Sequence, residues 1–351
     1  MNVNAITLRI MGLAATVILS TTATVHAWGE DGHAIVTHLA IDVLPESMPA
    51  WIKTPEIRAR LVYLSAEPDR WRGQNSPQVG HATYTDHYID EELLYPFGLS
   101  LKTLPPFRRE FTDLLAARRV KSPDKFTKRD IEKDTNYTKL SPGMLPYRIA
   151  ESQWIIAASW TQLKTFEKYR NRVTQSMIDN ARQNIVYHMG IISHFVGDGA
   201  QPLHLTVHHH GWEGANPKGY TRDHGFHSYI DSGILRHHAI SYDSLMSRRR
   251  PARAISTEKY WEDICGYLFE TFEKMEPLYA LEKSGKLNES EGKDFIENRL
   301  LTGGSALAGV WTAAYEGAHI DQYRVNQLKE WDGRLPGRAS KAEPEAIKAS
   351  R

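Results

Sequence analysis

Apolar residues recur along this chain at spacings of three and four, and that pattern predicts helices. Between His33 and Leu44 they fall at Ile35, Val36, Leu39, Ala40 and Val43, and Pro45 and Pro49 close the segment. Ile57 to Leu64 is a second, shorter helical segment, closed by Pro68. Thr83 to Asp90 (TYTDHYID) has strand-like composition over a short run. Beyond Pro105 and Pro106, the stretch Phe107 to Val120 is amphipathic. Leu145 to Arg172 reads as a long helix that turns Ile149, Trp154, Ile155, Ala158, Leu163 and Phe166 toward a core. Met177 to Asp198 reads as another, and Glu258 to Leu281 and Glu291 to Glu316 are helix-length amphipathic stretches. Their aromatics, among them Tyr260, Tyr267, Phe272 and Trp311, are most simply core residues. There is no run of alternating strands and no internal repeat, so the expected fold class is all-α, a single domain over residues 28–331.

The polar stretches complete the picture. Lys121 to Lys139 is charged throughout and reads as an exposed loop or frayed helix, and residues 332–351 read as a disordered tail. At the other end, Arg9 closes a polar region, Ile10 to Leu19 is apolar, and Val25-His26-Ala27 presents small residues at a cleavage site. Residues 1–27 are therefore expected to be a signal peptide, leaving Trp28 as the mature N-terminus of a periplasmic or secreted protein. A lone Cys265 rules out an intramolecular disulfide. The 43 Lys and Arg against 42 Asp and Glu exclude a global basic field of the kind that draws proteins to nucleic acid or anionic membranes. Attraction for a phosphate ester must then be local, and a bound cation would supply it.

Candidate chemistry concentrates in one stretch. Nine of the 16 histidines lie between His194 and His238. His194 and Asp198 are four apart, as are His227 and Asp231, so on a helix each pair projects from one face. Gly199 and Pro202 stop the first helix, and His204 arrives from the turn beyond it. A histidine and a carboxylate at helical spacing can hold a divalent cation, most plausibly zinc. One such pair is weak evidence. Two pairs with a further histidine between them point to a metal site.

Upstream, WGEDGH carries Trp28 and His33, DRWR carries Asp69 and Arg72, and HYID runs from His87 to Asp90. With HFVGDGAQPLH (His194, Asp198, His204) and the final HSYID (His227, Asp231), the chain resembles the zinc-dependent phospholipase C and single-strand nuclease superfamily. The resemblance implies a mainly helical fold with three zinc ions in a cleft. Asp69, His87, His194 and Asp198 would hold one; Trp28, through its own amine and carbonyl, His33 and the bridging Asp198 its neighbour; His204, His227 and Asp231 the third. A free Trp28 amine requires cleavage after Ala27, where the signal sequence independently places it. The chemistry implied is phosphodiester hydrolysis by metal-activated hydroxide, with Asp69 orienting the nucleophile and Arg72 neutralising phosphoryl charge.

The short Trp28 to His33 interval and the long His204 to His227 loop are similar to the nuclease branch, in which Tyr88 would stack on a base and Asp90 hydrogen-bond its edge. The long interval between His87 and His194 and the missing cysteines depart from the fungal and plant nucleases, and the extra residues in 91–174 could wall the cleft. Plainer readings exist beside these. Tyr88 could be a core aromatic, Asp90 a turn residue and Arg72 a salt-bridge partner. His188 reads as a packed helix residue, His208 to His210 as a loop run without a role, and His224, His237 and His238 as surface.

The leading expectation is an exported endonuclease that cleaves single-stranded RNA and DNA to 5′-nucleotides, acting as a monomer with no stable protein partner. A phospholipase C acting on phospholipid head groups would keep the chemistry but tolerate the loss of Tyr88 and Asp90. A non-catalytic zinc-binding protein would keep most of its metal in an Asp69→Asn variant and change no rate.

Overall fold

The computed structural model describes residues 28–73 and 76–330, so the expected signal peptide (residues 1–27) and the expected disordered tail (residues 332–351) lie outside the described residues. The helix Gln175–Asp198 is the axis of the fold. Thr174 caps its start by accepting from the Met177 amide. Every residue from Met189 to Asp198 is buried, because helices Glu30–Asp42, Pro55–Ser65, Leu145–Lys168 and Ser290–Glu316 all pack against it. A helix enclosed all round must be apolar except where a polar side chain has a partner or a task. His194 and Asp198 are the exceptions to be explained.

The chain is all-α. Among the described residues the only β pairing is an isolated antiparallel bridge between Ile89 and Gly143. The strand-like TYTDHYID segment is instead a 3-10 turn, Tyr84–His87, followed by that bridge. Thr85, Asp86, His87 and Ile89 are buried there, while Tyr84 and Tyr88 are half-buried. No helix among the described residues is long and apolar enough to cross a membrane.

Three expectations change in detail. The long helix ends at Lys168, with Arg170–Arg172 a separate 3-10 turn. Its buried face carries Ile149, Gln153, Ile156, Trp160 and Leu163, while Trp154 and Ile155 are half exposed and Ala158 exposed. Ile149, Ile156 and Leu163, seven apart, set that face, and Trp154 and Ile155 lie off it. The stretch from Glu258 is two helices, Tyr260–Phe272 and Met275–Lys283.

The central helix stops where Gly199 and Pro202 lead to be expected, but not by a left-handed glycine. Gly199 remains right-handed at φ −62°. Pro202 removes a donor and opens the 3-10 turn Pro202–Leu205, which carries His204. A Cβ at 199 would lie 2.7 Å from Leu268, so glycine is needed there for helix Tyr260–Phe272 to pack closely.

Candidate metal centre

Seven elements bring the polar side chains together at the C-terminal end of the central helix. His33 comes from helix Glu30–Asp42 and Asp69 from the short helix Glu67–Arg72. His87 ends its 3-10 turn, His194 and Asp198 occupy the last turns of the central helix, and His204 follows in the next turn. His227 and Asp231 straddle a junction between a single helical turn, Phe226–Ser228, and a π-helical turn, Tyr229–Gly233. A π turn is uncommon and is frequent at functional sites.

Asp198 is the hub. One of its oxygens, Oδ1, lies 3.4 Å from His33 Nε2. The other lies 3.2 Å from His87 Nδ1 and 3.4 Å from His194 Nε2. Asp69 Oδ1 stands 3.7 Å from His194 Nε2 and 3.9 Å from His87 Nδ1. The His33 and His194 rings stack at 4.0 Å, and a Cβ at Gly197 would come within 2.8 Å of His33 Nδ1. Glycine at 197 is what lets His33 approach the helix. Beside this group, His204 Nε2 and His227 Nε2 are 3.1 Å apart, and His227 Nε2 is 3.3 Å from Asp231 Oδ2.

The surrounding hydrogen bonds orient the rings. His194 Nδ1 donates to the Ser65 carbonyl (2.7 Å) and His204 Nδ1 to the His87 carbonyl (2.7 Å). In a neutral imidazole this leaves each Nε2 with a lone pair facing the cluster. Gln201, fully buried, donates from Nε2 to Asp231 Oδ1 (2.8 Å) while its oxygen accepts from the Leu203 amide (2.7 Å). Trp28 is fully buried at the start of the described chain, and the Gly29 amide donates to the Asp231 carbonyl (2.9 Å), which ties that start to the same site.

The electrostatics suit a cation. Burial, reinforced by neighbouring imidazoles, holds His87 and His227 well below the ordinary histidine value, and burial takes His204 down to about 3. Rings that are neutral at pH 7 are the form that ligates metal. Burial pushes Asp198 and Asp231 well above the usual carboxylate range, and the Asp69 charge adds to the effect. Asp198 Oδ1 and Asp231 Oδ2 accept no hydrogen bond although both are buried. Ionised carboxylates so enclosed need a compensating charge. Three groups, His33–Asp69–His194, His87–His194–Asp198 and His204–His227–Asp231, could each hold a metal ion.

A cleft of about 370 Å³ opens on His87, His204 and His227, and so touches both ligand clusters. Arg72, Tyr88 and Asp90 line it. Arg72 is also a salt-bridge partner, 3.1 Å from Asp69 Oδ1, so its two readings are compatible. The Tyr88 hydroxyl donates to the Thr138 carbonyl (3.3 Å), which places that ring on the wall rather than in the core. Asp90 is buried, its Oδ1 accepts no hydrogen bond, and burial together with the Glu92 charge raises its pKa well above the ordinary value.

Several cleft residues escape a reading of the sequence. Thr138 and Lys139 line the wall, and they come from the charged loop. Asp134 organises that loop: it is buried and accepts from the Thr138 and Lys139 amides at 2.9 and 3.2 Å. His209 and His210 also line the cleft. Burial, with the adjacent His209, takes His210 down to about 4. His224, His237 and His238 stand outside the cleft lining, and His188 is a half-buried helix residue. Gln201 sat in plain view within HFVGDGAQPLH, and its signal was its place between two ligands.

Gln201→Ala is expected to weaken metal binding at His204, His227 and Asp231 by about tenfold to a hundredfold, because Asp231 loses the donor that orients it. Titration with a competing chelator checks this; an unchanged affinity would remove Gln201 from the site. No model of a known protein family matches the chain, and no curated protein does either.

Proposed function

We propose that this chain is a zinc-dependent phosphodiesterase of the phospholipase C and single-strand nuclease superfamily. In this reading it is exported after cleavage at Ala27 and hydrolyses single-stranded RNA and DNA to 5′-nucleotides. The observation that carries the reading is that one cleft joins the two buried His/Asp clusters to Arg72, Tyr88 and Asp90. The donor set of imidazoles and carboxylates is the chemistry zinc takes. Asp69, His87, His194 and Asp198 would hold one ion, Trp28, His33 and Asp198 its neighbour, and His204, His227 and Asp231 the third. Bound there, zinc supplies Lewis acidity and lowers the pKa of water toward neutrality.

The chain's own groups do the rest. Asp69 orients the attacking oxygen while Arg72, held by Asp69, spreads its remaining donors toward the phosphoryl group. Tyr88, fixed through its hydroxyl, offers its ring face to a base. Burial and the Glu92 charge raise the Asp90 pKa, which favours the protonated carboxyl and with it a donor beside an acceptor for a base edge.

Tyr88→Ala and Asp90→Ala are each expected to reduce kcat/KM on single-stranded RNA and DNA by about tenfold to a hundredfold, with zinc content unchanged. The same variants would be offered phosphatidylcholine. Lipid turnover that neither substitution affects, without nucleotide release, would move the protein to the phospholipase reading. An Asp69→Asn variant that keeps its metal, in a wild type that cleaves neither substrate, would favour a zinc-binding protein without catalysis.

A further inference from the structure

A second polar cavity, of about 330 Å³, shares no lining residue with the metal cleft. It lies between the segment SRRRPAR (residues 247–253) and helices Tyr260–Phe272 and Ser290–Glu316. On a chain whose net charge is only +1, the local sign is unbalanced. Arg253 grips Glu270 through two hydrogen bonds (2.8 and 2.7 Å), which neutralises that pair. Arg250, Arg299 and Lys274 then face the cavity against a single remaining carboxylate, Glu273.

Arg299 is the anomaly. It is 9 % exposed, and among the described residues its only hydrogen bond is from Nη2 to Thr302 Oγ1 at 3.3 Å. No carboxylate pairs with it among the described residues. Arg250 donates to the same hydroxyl at 2.9 Å and to Asn298 at 2.6 Å, and it too has no carboxylate partner. Two guanidiniums therefore converge on one neutral oxygen, one of them enclosed. Burial holds Arg299 below its ordinary value and the Arg250 charge acts in the same direction, while Tyr267 and the Glu270 shared with Arg253 oppose them only in part. A buried cation without a counter-ion is costly, and guanidiniums that converge on one point suit an oxyanion.

We propose that this cavity binds a phosphate-class oxyanion, either free phosphate or the phosphate end of a nucleoside monophosphate, on Arg250, Arg299 and Lys274. The site is independent of the metal reading. Arg253 connects it to the central helix: its guanidinium lies 5.7 Å from the Tyr267 ring, whose hydroxyl donates to the Val196 carbonyl (2.8 Å), two residues before Asp198.

Equilibrium dialysis of inorganic phosphate, and separately of adenosine 5′-monophosphate, against the metal-loaded full chain tests this. Arg250→Gln and Arg299→Gln should each weaken the binding by about tenfold or more with metal content unchanged. Ser305→Asp, which adds a carboxylate to the cavity wall without removing an arginine, should do the same and serves if Arg299→Gln does not fold. Tighter binding of the nucleotide, lost in the same variants, assigns the site to nucleotides; comparable affinities assign it to the free ion. Phosphate binding identical in the wild type and all three variants overturns the proposal, as does its absence from the wild type. A chain that holds no zinc but binds phosphate in this pattern would sink the metal reading and leave this one standing.

Discussion

Asp198→Asn is expected to abolish hydrolysis of single-stranded nucleic acid, by a factor of about 10⁴ or more, and to strip the chain of two of its metal ions. The substitution keeps the side chain's size and the helix, removes the charge and replaces one acceptor oxygen with an amide donor. Asp198 is fully buried and reaches His33 through one oxygen and His87 and His194 through the other. Asp69 stands farther from His87 and His194, at 3.9 and 3.7 Å, and also groups with His33 and His194. The His204–His227–Asp231 group does not depend on Asp198 and should keep its ion. Metal content and kcat measured on one sample check the prediction. A variant that keeps its full metal content and at least a tenth of wild-type activity would contradict the bridging role.

Chelation is expected to lower the melting temperature by more than about 10 °C near pH 8. Each ion held at a thousandfold over its Kd contributes about 4 kcal/mol, and in large domains each kcal/mol shifts Tm by about 2–4 °C. The metal-free chain is also squeezed by its own titrating groups. Asp198 and Asp231 have raised pKa values, so their contribution to stability is present below the ordinary carboxylate value and lost as pH rises through the folded value. His87, His204 and His227 have lowered values, so theirs is present above the ordinary histidine value of 6.5 and lost as pH falls below it, for His204 down to about 3. A cation relieves the carboxylate repulsion at neutral and alkaline pH, whereas protons compete with it for the raised carboxylates Asp198 and Asp231 as pH falls. The difference in Tm between loaded and chelated protein should therefore shrink as pH falls from about 8 to about 5. Scanning calorimetry with and without EDTA across that range would refute the account by showing one unchanged Tm.

How far the sequence could be read depended on whether a residue's role was local. Helical periodicity placed the Gln175–Asp198 and Ser290–Glu316 helices within two residues of their ends, because an enclosed helix writes its burial into spacing. The i, i+4 pairs put His194 with Asp198 and His227 with Asp231 for the same reason. That His33, Asp69 and His87 converge on Asp198 is long-range, and only the resemblance anticipated it. One misreading and one omission share a physical cause. Trp154 and Ile155 are bulky and apolar yet half exposed, while Gln153 one residue earlier is buried, so composition pointed to the wrong face. The Lys121–Lys139 loop is charged, but Asp134 is buried at its centre and holds Thr138 and Lys139 on the cleft wall by backbone hydrogen bonds. Charge along a segment signals solvation only when those charges have no partner, and partners are invisible in sequence. The SRRRPAR cluster escaped notice likewise: its arginines are ordinary surface residues until Arg299, fifty residues on, is seen enclosed beside them.

The account rests on metal, and the most direct test is the zinc content of the purified chain beginning at Trp28. Single-stranded DNA, single-stranded RNA and phosphatidylcholine would be offered to the same sample. About three zinc ions per chain, with nucleotide release that EDTA stops and zinc restores, is the result predicted. A chain that folds with no bound zinc, or that cleaves nucleic acid undiminished after EDTA has removed it, would contradict the account.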